Sequence, residues 1–177
     1  MIINLVISLF VLLMIWAIVS DVRYYLLPNS LVLSVFILYL IYLLSLYFVG
    51  YTLSLEYIGY SFAISIVIFG FLLALFAFNM LGGGDVKLIP VVALWAGPSL
   101  TIKFLLITTV CGGIVSAAII GYRYVRRKIF QLKSSEIVNH CVSESNEFKN
   151  EELNIPYGVA ISAGGLFIAF ELYQAHN

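Results

Sequence analysis

The chain has 177 residues, of which 63% are hydrophobic and only 10% charged, and its mean hydropathy is +1.08. A water-facing domain carries roughly a quarter charged residues, and a chain this short cannot bury so large an apolar excess, so much of it must face lipid. Nine basic and nine acidic residues cancel to zero net charge, which gives no basic surface for nucleic acid.

The first apolar run covers residues 2–20. It has no basic leading segment, and Asp21-Val22-Arg23 follows it rather than a small-residue cleavage site, so it reads as a retained helix and not as a secretory signal. Runs 31–49, 58–78 and 100–122 each supply about the 20 apolar residues that one crossing needs, and 155–173 is a fifth, richer in glycine. Between them lies the shorter run 86–98, in which Pro90 is the expected kink. Counted as a crossing, it makes an all-α polytopic membrane protein of about six transmembrane helices. Arg23, Lys87, Arg123, Arg126, Arg127, Lys128, Lys133 and Lys149 then share one face and Lys103 alone lies on the other. Basic residues favour the cytoplasmic side, so the N-terminus is expected outside. If the short run were re-entrant, the basic residues would split between the two faces.

Residues 123–154 form a polar stretch, basic at its start and acidic at its end, with little apolar surface to bury. It is expected to be a flexible or partly helical cytoplasmic loop, within a single transmembrane domain spanning 1–177. Cys111 and Cys141 lie in unlike surroundings, so no bridge is expected between them. Without paired cysteines no structural zinc is expected either. His140 in the polar stretch and His176 near the C-terminus read as solvated side chains.

Only two acidic residues abut apolar runs on the cytoplasmic side: Asp21, at the end of the first run, and Asp85, after Gly82-Gly83-Gly84. Two crossings separate them, so both return to the same face. Ionisable groups at membrane depth are costly and usually functional. A lone aspartate at a helix end also suits a solvated cap, so the pair carries more weight than either member. Three successive glycines are poor helix filler and read as a loop permitting close approach or positive φ; a phosphate cradle would need a GxxxxGK[ST] spacing, which is missing. Two close carboxylates that share a proton can hydrolyse a peptide bond, the ionised one drawing a proton from water and the protonated one polarising the carbonyl.

These residues resemble the type IV prepilin peptidase family of GxGD-type membrane aspartyl proteases. Asp21-Val22-Arg23 followed by Leu27-Pro28-Asn29, Gly82-Gly83-Gly84-Asp85 followed by Lys87-Leu88, and Ile155-Pro156-Tyr157-Gly158-Val159-Ala160-Ile161 with Gly164 match its three ordered motifs. The resemblance implies a multi-pass endopeptidase of a prokaryotic cell membrane. It would remove the short basic leader of a pilin-like or archaellin-like precursor at the cytoplasmic face, with Asp21 and Asp85 as catalytic pair and no metal or cofactor. Which aspartate is base and which acid stays open. Gly82, Gly83 and Gly84 would shape the active-site loop, and Pro28 and Asn29 would break the chain and cap the second helix. Pro156, Tyr157 and Gly158 would support the site or the substrate. Arg23 and Lys87 read as positive-inside anchors more than as substrate contacts. The cysteine-bearing cytoplasmic region of many bacterial members does not precede the first helix, so no methyltransferase activity is expected, as in the short members. A transporter with buried carboxylates is the alternative of another class; a non-catalytic scaffold and a protease cutting within a helix are lesser ones.

Overall fold

The computed structural model describes residues 2–24, 27–50, 54–79, 81–134 and 157–176. They form five helices, α1 (Ile2–Tyr24), α2 (Asn29–Val49), α3 (Leu55–Ala77), α4 (Gly83–Ser134) and α5 (Tyr157–His176). All five are long and apolar enough to cross a membrane. Their outward faces carry large side chains such as Leu5, Trp16, Val67 and Phe71, each at least half exposed. These faces take up the apolar excess of the composition.

The expected count was six, and α4 accounts for the difference. A straight helix of its 52 residues would be about 78 Å long, more than twice the hydrocarbon thickness of about 30 Å. It is not straight: Gly97 has φ 61° and ψ 178°, a region open only to glycine. The chain reverses there, since Asp85 and Ile89 of the first arm line the same cavity as Thr108, Gly112 and Ser116 of the second. Short run 86–98 and long run 100–122 are thus the two arms of one helical hairpin. The sequence reading put the kink at Pro90, but the backbone stays helical through it and breaks at Gly97. Pro98 follows at the first position of the new arm, where a missing N–H costs nothing. The Tyr57 hydroxyl occupies the space a Gly97 Cβ would need, and Thr101 Oγ1 donates to Gly97 O at 2.5 Å.

Helix α5 packs between α1 and α4. Gly158 meets Asp21 and Gly165 meets Met14 of α1, while Gly112 meets Ala160 and Gly164 meets Phe104 and Thr108 on the second arm of α4. Both pairings run antiparallel. Lipid tails are as apolar as leucine, so helices gain little from hiding apolar surface and associate through close packing, which small residues permit. Those glycines let α5 sit between α1 and α4. At the end of the bundle nearer Gly97, Trp95 stacks on Phe10 at 4.2 Å and on Tyr42 at 5.2 Å, and its Nε1 donates to Val35 O at 3.2 Å. Lys103 pairs with Glu171 at 3.7 Å. Helix α3 is the outlier, burying only Ser61, Ser65 and Leu72, with Ser65 Oγ donating to Pro90 O at 2.7 Å.

One expectation about a polar residue changes. His176 is not a solvated bystander: its Nε2 and the Tyr42 hydroxyl lie 2.9 Å apart, because α5 ends against the aromatic cluster. The polar stretch begins as helix, since α4 continues to Ser134. Its remainder, with His140, Cys141 and Lys149, lies outside the described residues, as does Pro156. Cys111 is free and partly buried.

Candidate active site

Helix α1 and the first arm of α4 run antiparallel: Phe10 stacks on Trp95, while Met14, one turn nearer Asp21, and Val92, nearer Asp85, both meet Gly165 of α5. The last turn of α1 and the first turn of α4 therefore meet at one end, and with them Asp21 and Asp85. The side chains are buried, at 5% and 8% exposure, and close enough for the charge of one to act on the other.

Asp21 is held from α5. Its Oδ2 accepts the Val159 N–H at 3.2 Å, and the Gly158 N–H also bonds the carboxylate. The first N–H groups of a helix lack intrahelical acceptors, and here α1 supplies an acceptor from across the bundle. The positive end of the α5 dipole favours a carboxylate at this place. Gly158 makes the approach possible: a Cβ there would lie 2.8 Å from both Cγ and Oδ2 of Asp21. In the expectation Tyr157 and Gly158 were unspecified support. Gly158 is the seat of one carboxylate, and Tyr157 lines the cavity of the other.

Asp85 is set by its glycines, though not as a loop. Gly82 lies in the turn, but Gly83 and Gly84 already belong to α4, and none of the three has positive φ. They serve close approach instead. A Cβ on Gly84 would stand 2.7 Å from Leu27 Cβ, and one on Gly82 3.1 Å from Asp85 Oδ2. The α1–α2 turn thus packs directly on the start of α4, which draws the two aspartate-bearing turns together. Pro28 takes the N-cap position of α2 without a side-chain bond. Asn29 does not cap α2 as expected; its Oδ1 accepts from Lys87 Nζ at 3.0 Å. Lys87 therefore ties the turn to α4. Arg23 is exposed and lies 5.9 Å over the Tyr24 ring.

Asp85 opens into a cavity of about 360 Å³ between α4 and α5, walled by Leu81, Ile89, Thr108, Gly112, Tyr157 and Ile161 among others. Thr108 and Gly112 are the site residues that sequence reasoning missed. They sit inside a long apolar run, and only the fold-back at Gly97 brings them to Asp85. Among the described residues no three metal-ligating side chains cluster.

Fold and site together define a polytopic helical membrane protein with a buried carboxylate pair beside a cavity at one end of the bundle. Residues 8–117 match the type IV leader peptidase family, and the chain belongs to it. The matched stretch contains both aspartates, the glycine run and the Gly97 reversal, while α5 lies beyond it. No curated protein and no solved structure gives a significant match. Membership makes the chain a peptidase of the leader-removing type.

Proposed function

We propose that the chain is an aspartic endopeptidase that removes the short basic leader of type IV pilin-like or archaellin-like precursors at the cytoplasmic face of a prokaryotic cell membrane. Asp21 and Asp85 are its catalytic pair. The observation that supports this most is that two carboxylates, 64 residues apart in the chain, are both buried at one end of the bundle, where the start of α5 bonds Asp21 and lines the cavity of Asp85. Burial of two acids in so apolar a protein is costly, and joint handling of one water accounts for both.

In the reaction, the ionised carboxylate takes a proton from water as its oxygen adds to the scissile carbonyl carbon. The protonated carboxylate donates to the carbonyl oxygen. The tetrahedral intermediate then collapses, the C–N bond breaks, and the leaving nitrogen takes a proton from the pair. Gly158 and Val159 fix the orientation of Asp21, while the packing of Gly84 against Leu27 fixes that of Asp85. The polar start of the chain beyond Arg123 and the basic residues near the aspartates suit the cytoplasmic face.

The test is co-expression with a precursor bearing a basic leader before an apolar helix, followed by mass analysis of the product. Wild-type chain is expected to yield a single cut at the leader boundary and Asp85→Asn none. An uncut precursor with wild-type chain, or equal cutting by the variant, overturns the proposal.

A further inference from the structure

The cavity beside Asp85 holds a polar atom that the two-carboxylate mechanism does not use. Thr108 Oγ1 is buried and has no hydrogen-bond partner among the described residues. Threonines in membrane helices usually settle this by bonding the carbonyl four residues back, and its neighbours do so: Thr101 donates to Gly97 O and Thr109 to Leu105 O at 2.7 Å. Thr108 does not. Its hydroxyl faces α5, against Gly164, where a Cβ would overlap it, and the residue forms part of the cavity wall that also includes Asp85. An unpaired hydroxyl in apolar surroundings is unfavourable, so a partner arriving from the cavity would relieve it.

The occupant needs such a partner as well. A peptide entering this cavity brings backbone N–H and C=O groups that lose water on the way in and must be paired again. A hydroxyl is both donor and acceptor and can serve either. The other second-arm residues on the wall, Thr109, Gly112, Gly113 and Ser116, are small or medium-sized and leave room for an extended backbone. We infer that Thr108 is a substrate-binding residue, its hydroxyl turning about χ1 from Gly164 into the cavity to pair with a backbone amide of the precursor. The inference rests on the leader-peptidase reading of the site. Ser162 provides a built-in comparison: its hydroxyl is also buried and unpartnered among the described residues, but it is not a wall of the cavity.

The test uses the purified full chain in detergent with a synthetic precursor segment, a basic leader joined to an apolar helix. Thr108→Val keeps the shape and removes the hydroxyl. It is expected to raise KM about tenfold, which at about 1.4 kcal/mol per decade is one hydrogen bond. kcat should stay within about twofold, because a bond made equally to substrate and transition state changes KM alone. Thermal stability should hold or rise, since an orphaned hydroxyl has gone. Thr108→Ser should keep KM near wild type, and Ser162→Ala should leave KM unchanged. An unchanged KM in Thr108→Val, a loss confined to kcat, a fall in melting temperature parallel to the loss of activity, or failure of Thr108→Ser to retain binding each overturns this inference alone. A wild-type chain that cuts no precursor overturns the leader-peptidase reading and this inference with it.

Discussion

Gly158→Ala tests how Asp21 is held. The new Cβ would lie 2.8 Å from the Asp21 carboxyl, against the 3.4 Å at which ordinary contact begins, so the carboxyl must retreat by about 0.6 Å. The bond from the Val159 N–H, now 3.2 Å, would lengthen to nearly 3.8 Å, beyond hydrogen-bonding range. Losing a bond to a charged group costs about 1.5–3 kcal/mol. A 1 Å misplacement of a reacting group can cost on the order of 10²-fold in rate, so a shift of this size should slow leader release about tenfold or more. The assay pairs the rate of leader release with thermal unfolding in detergent. Val159→Ala, which keeps the same backbone donor, serves as control and should behave much like wild type. Wild-type rate and stability in Gly158→Ala would refute the reasoning, since the carboxyl would then tolerate displacement from α5.

Two further substitutions probe the scaffold. Gly97→Ala puts a Cβ into the space of the Tyr57 hydroxyl at a backbone conformation that side-chain-bearing residues avoid; a loss of about 2 kcal/mol or more, read as reduced yield of folded protein, is expected. Normal yield and melting temperature would show that the α4 reversal does not depend on this residue. Gly164→Ala and Gly165→Ala should differ, although they are neighbours. The first drives a Cβ against the Phe104 ring at 2.8 Å and against Thr108, while the second meets the flexible end of Met14. Melting temperatures should place Gly164→Ala about 1–3 kcal/mol below wild type and Gly165→Ala closer to it; the reverse order would contradict the packing described for α5.

Much of the architecture was readable from lengths of apolar run, because a lipid-facing helix must be apolar all round and about 20 residues long. The meeting of Asp21 and Asp85 at one end followed from counting crossings between them. Local geometry was harder. Pro90 drew the expected kink because proline removes a backbone bond, yet one missing bond inside a packed helix bends the chain far less than a glycine at positive φ. The Gly97-Pro98 pair, a turn signal in its own right, was the better pointer. The glycine run before Asp85 suggested a loop, but close packing on Leu27 uses the missing side chains within helical backbone. Asn29 had the composition of a cap and instead receives Lys87, a partner 58 residues away in the chain that no local rule supplies. The contact between Gly158 and Asp21 was invisible for the same reason: it joins the two ends of the chain. Thr108 carried no signal at all, since one threonine in an apolar run is ordinary until its neighbours are known.

In the proposed reaction Asp21 and Asp85 act as one unit on one water. The most direct measurement compares leader release by Asp21→Asn, Asp85→Asn and the double variant, each checked for normal folding. Asparagine at 21 keeps an oxygen for the Gly158 and Val159 N–H groups, so the α5 contact survives. Each single change should lower kcat/KM by about 10²–10⁴-fold, and the double variant should be scarcely worse than the worse single one, as groups that work together are non-additive. Near wild-type release by either single variant, or losses that multiply in the double, would contradict the account.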